Sequence, residues 1–345
     1  MAESRVRTAA SGRFRTLVIQ PLPGIGDMVW HLPHLHAIAA ASPDERVSVL
    51  AKPRSRADIL LRADESIDEV IWLERKPGQH DGFLGWFRLV DLLRRFGVQS
   101  VWVLHDSVRY ISAAWFAQIP ERRSFGFGQQ RWFQTTPLHL PHDADRHPIA
   151  KADLLLKLHG LTTTEGAADL VVDHTLVKAV GESFAGAIEP WLAVGIGSSE
   201  PHKQWGRERF AELIRRLVVR RRVSIMIVGG APDRPAAKWV IEQAGDENVF
   251  DATDLSVDVT AALLSRCRLY VGNDTGFLNI AAAVGVDALG LFGGSPPLRH
   301  SRHVHVVLPE GGIEAQYGDR YMERISVDSV EGAVNRLLDG LAGGG

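Results

Sequence analysis

Short apolar runs rich in Val, Ile and Leu alternate with longer amphipathic stretches along nearly the whole chain, and they do so in two successive series. This alternation constrains the fold more than any single motif. Parallel strands need a crossover of about a dozen residues or more between them, and a helix with one apolar face supplies it. In the first series strands are expected at Thr16–Gln20, Val47–Ala51, Glu69–Leu73 and Ser100–Leu104, with helices at Met28–Ala41, Arg54–Leu61 and Phe83–Phe96. In the second they are expected at Trp191–Gly195, Ser224–Val228, Val249–Asp251, Leu269–Gly272 and Asp287–Leu291, with helices at Arg207–Val219, Pro235–Ala244, Val257–Ser265 and Phe277–Val284. A polar, weakly periodic stretch from Thr162 and the later Ile188-Glu-Pro190 separate the series. The 345 residues, 45% hydrophobic, are enough for two cores. The expectation is two α/β domains with parallel sheets, residues 1–170 and 186–326, followed by a helix and tail over residues 327–345.

A net charge of -2 gives no global electrostatic case for nucleic acid as partner. The single Cys267 excludes an intramolecular disulfide framework and a zinc site built from several cysteines, and it fits a reducing cytoplasm. Arg5, Arg7, Arg13 and Arg15 are scattered through a start without an apolar run, which reads as a loose tail rather than a secretory signal. No window approaches the roughly 18 apolar residues of a membrane span, while peripheral attachment to a membrane surface stays open.

The segment Tyr270-Val-Gly-Asn-Asp-Thr-Gly276 runs a short strand into a turn that opens a helix of small residues, Ala281 to Ala283. Free backbone N–H groups and the positive end of the helix dipole converge at Asp274, Thr275 and Gly276. Such a turn is a seat for an anion and suits a nucleotide diphosphate. The pattern resembles the donor-site motif of glycosyltransferase family 9, the ADP-heptose:lipopolysaccharide heptosyltransferases, Asp-Thr-Gly-x-x-His-x-Ala-Ala-x-x-Gly. Here Asn279 stands at the position of the motif's His. The resemblance implies a GT-B architecture: two Rossmann-like domains with parallel sheets facing across a cleft.

A second signal is Gln20-Pro-Leu-Pro-Gly-Ile-Gly-Asp-Met-Val-Trp-His-Leu-Pro33, a strand end, a turn shaped by Gly24 and Gly26, and Asp27 at the mouth of a helix. The same family carries a Gly-Asp here with Leu-Pro shortly after, and its Asp is the proposed catalytic base; by that resemblance Asp27 takes the role. A carboxylate suits an inverting glycosyl transfer, which must remove the acceptor hydroxyl's proton as it attacks the anomeric carbon. Capping of the helix by Asp27 is the plainer alternative. A dinucleotide site at Gly24-Ile-Gly26 is disfavoured, because Val29 stands where the third glycine belongs and Ala51-Lys52 follows the second strand where an acid is required.

A third signal, Gly195-Ile-Gly-Ser-Ser-Glu-Pro-His-Lys-Gln-Trp205, places hydroxyls and a cation in the loop after a strand. By resemblance Ser198, Ser199 and Lys203 contact the donor phosphates; departing diphosphate gathers negative charge that hydroxyls, a cation and helix ends can meet without a metal. Asp233, after Ile225-Met-Ile-Val-Gly-Gly230, either bonds a ribose hydroxyl or begins the next helix.

No metal or other cofactor is expected. Asp143-Ala-Asp145 lies in a His- and Pro-rich loop with no strand leading into it, and His31, His34 and His36 lack a metal-binding arrangement. The acceptor-side candidates are Gly26, His31, which is expected to line the acceptor cleft, and Arg122 and Arg123, as cations for an anionic saccharide. Phe83, Trp86 and Phe87 share helical spacing with Val90 and Leu93, and this patterning predicts core packing rather than lipid contact. The expected activity is an inverting hexosyl or heptosyl transfer, by resemblance heptose from an ADP-sugar to a lipopolysaccharide-core or related acceptor, a saccharide or lipid-linked saccharide, by a cytoplasmic enzyme. A nucleotide-sugar epimerase of the same architecture and a non-catalytic nucleotide-sugar-binding protein are the alternatives.

Overall fold

A computed structural model of the chain describes residues 14–75, 77–141, 147–163, 170–299 and 301–342. The chain divides into two compact units, Met1–Thr164 and Glu165–Gly345.

The first unit contains strands β1 (Thr16–Gln20), β2 (Val47–Ala51), β3 (Ile67–Trp72), β4 (Ser100–Val103) and β5 (Glu121–Ser124). Its helices are α1 (Ile25–Trp30), α2 (Leu32–Ala40), α3 (Ala57–Leu60), α4 (Gly82–Phe96), α5 (Val108–Phe116) and α6 (Pro148–Leu158). The sheet is parallel throughout, in the order β3-β2-β1-β4-β5. β1, β2 and β4 are buried at every position, as central strands covered on both faces must be. Leu17, Ile19, Val101 and Val103 pack against Leu89, Val90 and Leu93 of α4 and Ile111 of α5.

Three expectations change here. The helix expected over Met28–Ala41 is two helices jointed at His31, because Pro33 near the start of α2 cannot donate a backbone hydrogen bond into the preceding turn. β5, α5 and α6 have no counterpart in the sequence reading; Glu121-Arg-Arg-Ser124 is too polar to stand out as a strand and forms one at the sheet edge. On α4 the buried side chains are Leu89, Val90 and Leu93, whereas Phe83, Leu84 and Phe87 are 74%, 70% and 49% exposed, contrary to the core packing expected of the two phenylalanines.

The second unit begins with α7 (His174–Ser183) and continues through β6 (Trp191–Gly195), α8 (Arg207–Arg221), β7 (Ser224–Gly229), α9 (Arg234–Ala244), β8 (Val249–Thr253), α10 (Val257–Arg266), β9 (Leu269–Asn273), α11 (Gly276–Ala283), β10 (Ala288–Leu291), β11 (Val304–Val307) and α12 (Val327–Ala342). Its sheet is again parallel throughout, ordered β11-β10-β9-β6-β7-β8. The terminal helix α12 belongs to this unit's core: Val330 and Val334 are fully buried with Leu213, Ile214 and Leu217 of α8. Arg216 and Arg220 of α8 reach Glu331 on α12, and Arg221 reaches Asp339. The arginines at the end of α8 therefore tie two helices together.

Candidate active site

A parallel sheet leaves a crevice at the carboxyl ends of its strands where the strand order reverses direction from the first strand outward, and ligands bind there. In the first unit this point lies between β1 and β4, and the loop leaving β1 carries Gly24, Gly26 and Asp27. In the second it lies between β6 and β9; the loop leaving β6 carries Ser198, Ser199 and Lys203, and the turn leaving β9 carries Asp274, Thr275 and Gly276. Topology thus gathers at two switch points the three segments singled out by their sequence.

Asp27 sits in the first turn of α1, partly exposed, with its Oδ2 accepting a hydrogen bond from the Gly24 N–H at 2.8 Å. The capping alternative therefore describes the geometry correctly. It also gives the carboxylate a fixed orientation, since a Cβ on Gly24 would stand 2.7 Å from that oxygen. Beneath the turn, the His31 Nδ1 lies 2.6 Å from the Asp27 carbonyl oxygen, so it must carry the proton and donate, and the Gln20 amide donates to the same oxygen at 3.3 Å.

His31 is fully buried, and burial together with neighbouring His34 pushes its pKa down to about 3. The expectation that His31 lines an acceptor cleft is corrected: its ring turns inward beneath the helix joint and holds the backbone of the Asp27 turn. His34 is likewise buried, bonded through Nε2 to Asp153 at 2.9 Å, and His36 pairs with Asp64 at 2.7 Å.

The two acceptor-side arginines are also occupied in the structure. The Arg122 guanidinium donates to the Phe133 carbonyl at 2.6 Å and to the carbonyl of Ile119, binding two loop segments. Arg123 lies over the Trp102 ring at 4.8 Å and reaches back to Ser100 at the start of β4 and to Glu121 at the start of β5, both at 3.0 Å. Its guanidinium thus points toward the amino ends of the strands, opposite the ends where the switch point opens.

In the second unit Lys203 is the electrostatic centre. Its Nζ lies 2.7 Å from Glu200 and 2.9 Å from Asp274. Burial opposes its charge, but the two carboxylates outweigh that and raise its pKa above the ordinary lysine value. Asp274 also accepts from the Ser295 hydroxyl at 2.7 Å. Its carboxylate therefore fixes the cation and the Ser295 loop, leaving the backbone N–H groups of α11 to receive an anion. The N-terminus of α11 has no side-chain cap, and the Thr275 hydroxyl is buried without a well-formed hydrogen bond among the described residues. Orphan donors of this kind are what a phosphate oxygen satisfies.

Around this seat the structure adds residues whose role the sequence did not reveal. Asn273 joins the two loops of the switch point: its amide donates to the carbonyls of Ile196 at 2.9 Å and Gly197 at 3.2 Å, while its carbonyl accepts from the Trp205 N–H at 3.1 Å. Trp205 is fully buried and bonds the Ile325 carbonyl at 2.8 Å, so the Trp of Lys-x-Trp anchors the loop that bears Lys203. Tyr270 places its buried hydroxyl in space left by Gly195 and Gly272, where Cβ atoms would approach to 1.9 and 2.5 Å. Tyr317 packs its ring over Lys203 and bonds Glu200, a contact from a loop far along the chain that no local pattern announces.

Asp233 turns back to accept from the Gly230 N–H at 2.9 Å and lies against Gly197, where no side chain would fit. This geometry contains the helix-start reading and leaves the carboxylate at the mouth of the loop after β6. Asn279 is nearly fully buried, and its amide donates to the Thr275 carbonyl at 3.2 Å, one turn below the anion seat. Ser198 accepts from the Glu200 N–H at 3.1 Å, and Ser199 is exposed beside it. Among the described residues no cluster of His, Cys, Asp and Glu is arranged to hold a metal ion; His142, Asp143 and Asp145 lie outside the described residues.

Comparison with known proteins agrees with this geometry. Residues 86–306 match the family model described as glycosyltransferase family 9 (heptosyltransferase). The chain is 30% identical over 328 residues to lipopolysaccharide heptosyltransferase 2 of Escherichia coli, covering 88% of this chain and 91% of that one. Among solved structures, a family 9 glycosyltransferase from Veillonella parvula superposes with a TM-score of 0.76 at 22% identity, covering 94% of this chain and 97% of its own. The Escherichia coli ADP-heptose lipopolysaccharide heptosyltransferase II superposes with a TM-score of 0.73 at 21% identity, covering 95% and 100%. These likenesses identify the pair of doubly wound units as the GT-B fold.

Proposed function

Because the chain belongs to glycosyltransferase family 9 and is a glycosyltransferase, we propose that it moves a heptosyl unit from an ADP-sugar, with inversion, onto a lipopolysaccharide-core or related saccharide. The observations that carry this reading are an oriented carboxylate at the switch point of the first unit and, at that of the second, an uncapped helix start with a lysine bound to two carboxylates.

In this reading the acceptor hydroxyl oxygen attacks the anomeric carbon while the bond from that carbon to the diphosphate oxygen breaks. Asp27 accepts the hydroxyl proton on the carboxylate oxygen that does not bind Gly24. Negative charge accumulates on the leaving ADP, and Lys203, the Thr275 hydroxyl and the first N–H groups of α11 meet it. Ser198 and Ser199 supply further donors from the loop after β6, and Asp233 offers an acceptor for a ribose hydroxyl. Lys203 keeps its charge throughout; on binding it exchanges part of its contact with Glu200 and Asp274 for phosphate oxygen. No metal is needed for this balance of charge. Acceptor recognition falls to side chains near Gly26 rather than to His31, Arg122 or Arg123.

A cytoplasmic enzyme using a nucleotide-sugar fits the single buried thiol of Cys267, and a lipid-linked acceptor would draw it to the inner face of the cytoplasmic membrane. Among the described residues no helix is long and apolar enough to cross a membrane. The decisive experiment is titration calorimetry with ADP, UDP, GDP and NAD. Preferential binding of ADP, lost in Lys203→Ala, supports the proposal; selective UDP or GDP binding reassigns the donor, and NAD binding overturns it.

A further inference from the structure

The first unit exposes a continuous aromatic surface that its core does not use. Ring centroids connect Phe83 to Phe87 at 4.9 Å, Phe87 to Trp86 at 5.1 Å, Trp86 to Phe116 at 4.9 Å, Phe116 to Trp115 at 4.8 Å and Trp115 to Phe133 at 5.9 Å. Along this chain of rings Phe83 is the most open, its neighbour Leu84 is also exposed, and Trp132, beside Phe133, is 69% exposed. Edge-to-face packing and a bond from the Trp86 indole N–H to the Arg109 carbonyl at 3.2 Å hold the rings in place. Isolated exposed apolar residues need no explanation; a connected patch of large rings marks a surface that meets something.

Charge indicates what it meets. Arg122 and Arg123 are turned to carbonyls and to Glu121, but α4, α5 and the segment beside Trp132 still carry Arg88, Arg94, Arg95, Arg109 and Arg131 against the single acid Asp91, in a chain whose net charge is -2. Arg94 donates to the Phe116 carbonyl at 2.7 Å within the patch itself, Arg88 and Arg131 are exposed next to Phe87 and Trp132, and Arg95, exposed about two turns beyond Arg88 on α4, pairs with Asp91 at 2.7 Å. A second copy of this chain applied through the same face would bring arginines against arginines, which disfavours a symmetric dimer. Aromatic rings that enter an interface, bordered by cations that meet anionic headgroups, are the pattern of a protein lying on a bilayer. We infer that α4, α5 and the segment around Trp132 form a docking face for an anionic phospholipid surface. This inference concerns a surface apart from the anion seat and does not depend on the identity of the sugar.

The test is flotation of the full chain with vesicles of phosphatidylcholine alone or mixed with phosphatidylglycerol. Binding to the anionic vesicles is expected, weakening with salt, and at least ten-fold above binding to phosphatidylcholine. A triple variant, Phe83→Ser with Phe87→Ser and Trp132→Ser, should lose at least ten-fold in partitioning. Arg88→Glu with Arg131→Glu should lose about five-fold or more for each cation removed. Both variants should retain the wild-type melting temperature and nucleotide affinity, since the altered side chains are exposed and distant in sequence from both switch points. Unchanged flotation of the triple variant, or equal binding to neutral vesicles, overturns the inference. A wild-type dimer in light scattering that the triple variant dissolves would also overturn it, assigning the face to a second copy.

Discussion

The two strand-to-helix turns, Gly24–Asp27 in the first unit and Asp274–Gly276 in the second, share a local plan and differ in chemistry. Each follows a central parallel strand and opens a helix at a switch point. In the first, the helix start is already occupied, because Asp27 folds back onto the Gly24 N–H, and a neutral imidazole secures the backbone below. In the second, the helix start is left open, and the acid is drawn aside by Lys203 and Ser295. The difference teaches that an Asp in such a turn has no fixed meaning. Where it caps its own helix it presents a carboxylate, and where a cation and a hydroxyl draw it away it leaves the helix dipole to an anion.

The strongest way to break this comparison is to exchange the character of the first acid. Asp27→Asn keeps a hydrogen-bond acceptor for Gly24 but cannot take a proton at neutral pH, so turnover should fall by about 10²- to 10⁴-fold with ADP affinity unchanged in calorimetry. Retained turnover would reduce Asp27 to a cap. In the second turn, Lys203→Ala removes the cation while Glu200 and Asp274 remain, and donor affinity should weaken by roughly 10- to 100-fold, with thermal unfolding shifted far less. An unaltered dissociation constant would locate the phosphate elsewhere.

The comparison sharpens with Gly24→Ala. The added methyl group meets the Asp27 oxygen at 2.7 Å and must turn it away, so turnover should drop about ten-fold or more while nucleotide binding in the other unit persists. The smallest effect concerns His31. Its folded pKa of about 3 lies below the ordinary 6.5, so folding favours the neutral ring. That contribution is complete above pH 6.5 and is lost as pH falls from 6.5 toward 3, at up to about 1.4 kcal/mol per pH unit. His80, His105 and His159, also lowered by burial and also in the first unit, add slopes of the same sign. Denaturant unfolding of His31→Gln between pH 7 and 5 should show a shallower loss of stability than the parent; equal slopes would mean that His31 gains no protons on unfolding.

Much of the fold was legible before any coordinates. Strands of the Trp191–Gly195 kind are short apolar runs bounded by turn residues, and their ends follow from local signals alone. Glu121–Ser124 was not legible, because an edge strand of charged residues is stabilised by its pairing with β4 and not by its own pattern. On α4 the spacing correctly announced a helix but not which rings it would bury; three later leucine and valine positions fill the core, and the aromatic N-terminal end projects past it. Of the candidate site, Asp27, Lys203 and Thr275 came from motifs that keep backbone donors and charged side chains at fixed local offsets. Asn273 and Tyr317 depend on partners 68 and 117 residues away, and sequence spacing carries no such distances; the inward turn of His31 onto the Asp27 carbonyl is local in sequence, but its burial comes from the packing around the helix joint.

By itself, then, the sequence determined that the chain forms two parallel α/β units and where each reverses from strand to helix, because periodicity, glycine and proline act over a few residues. Tertiary structure alone decided what each polar group is used for. It turned His31 and Arg122 inward to satisfy carbonyls, aimed Arg123 toward the amino ends of its sheet, and set Lys203 between two acids. The reason is physical: a buried donor or charge must find a partner wherever the fold brings one, and that choice is made only when distant segments meet.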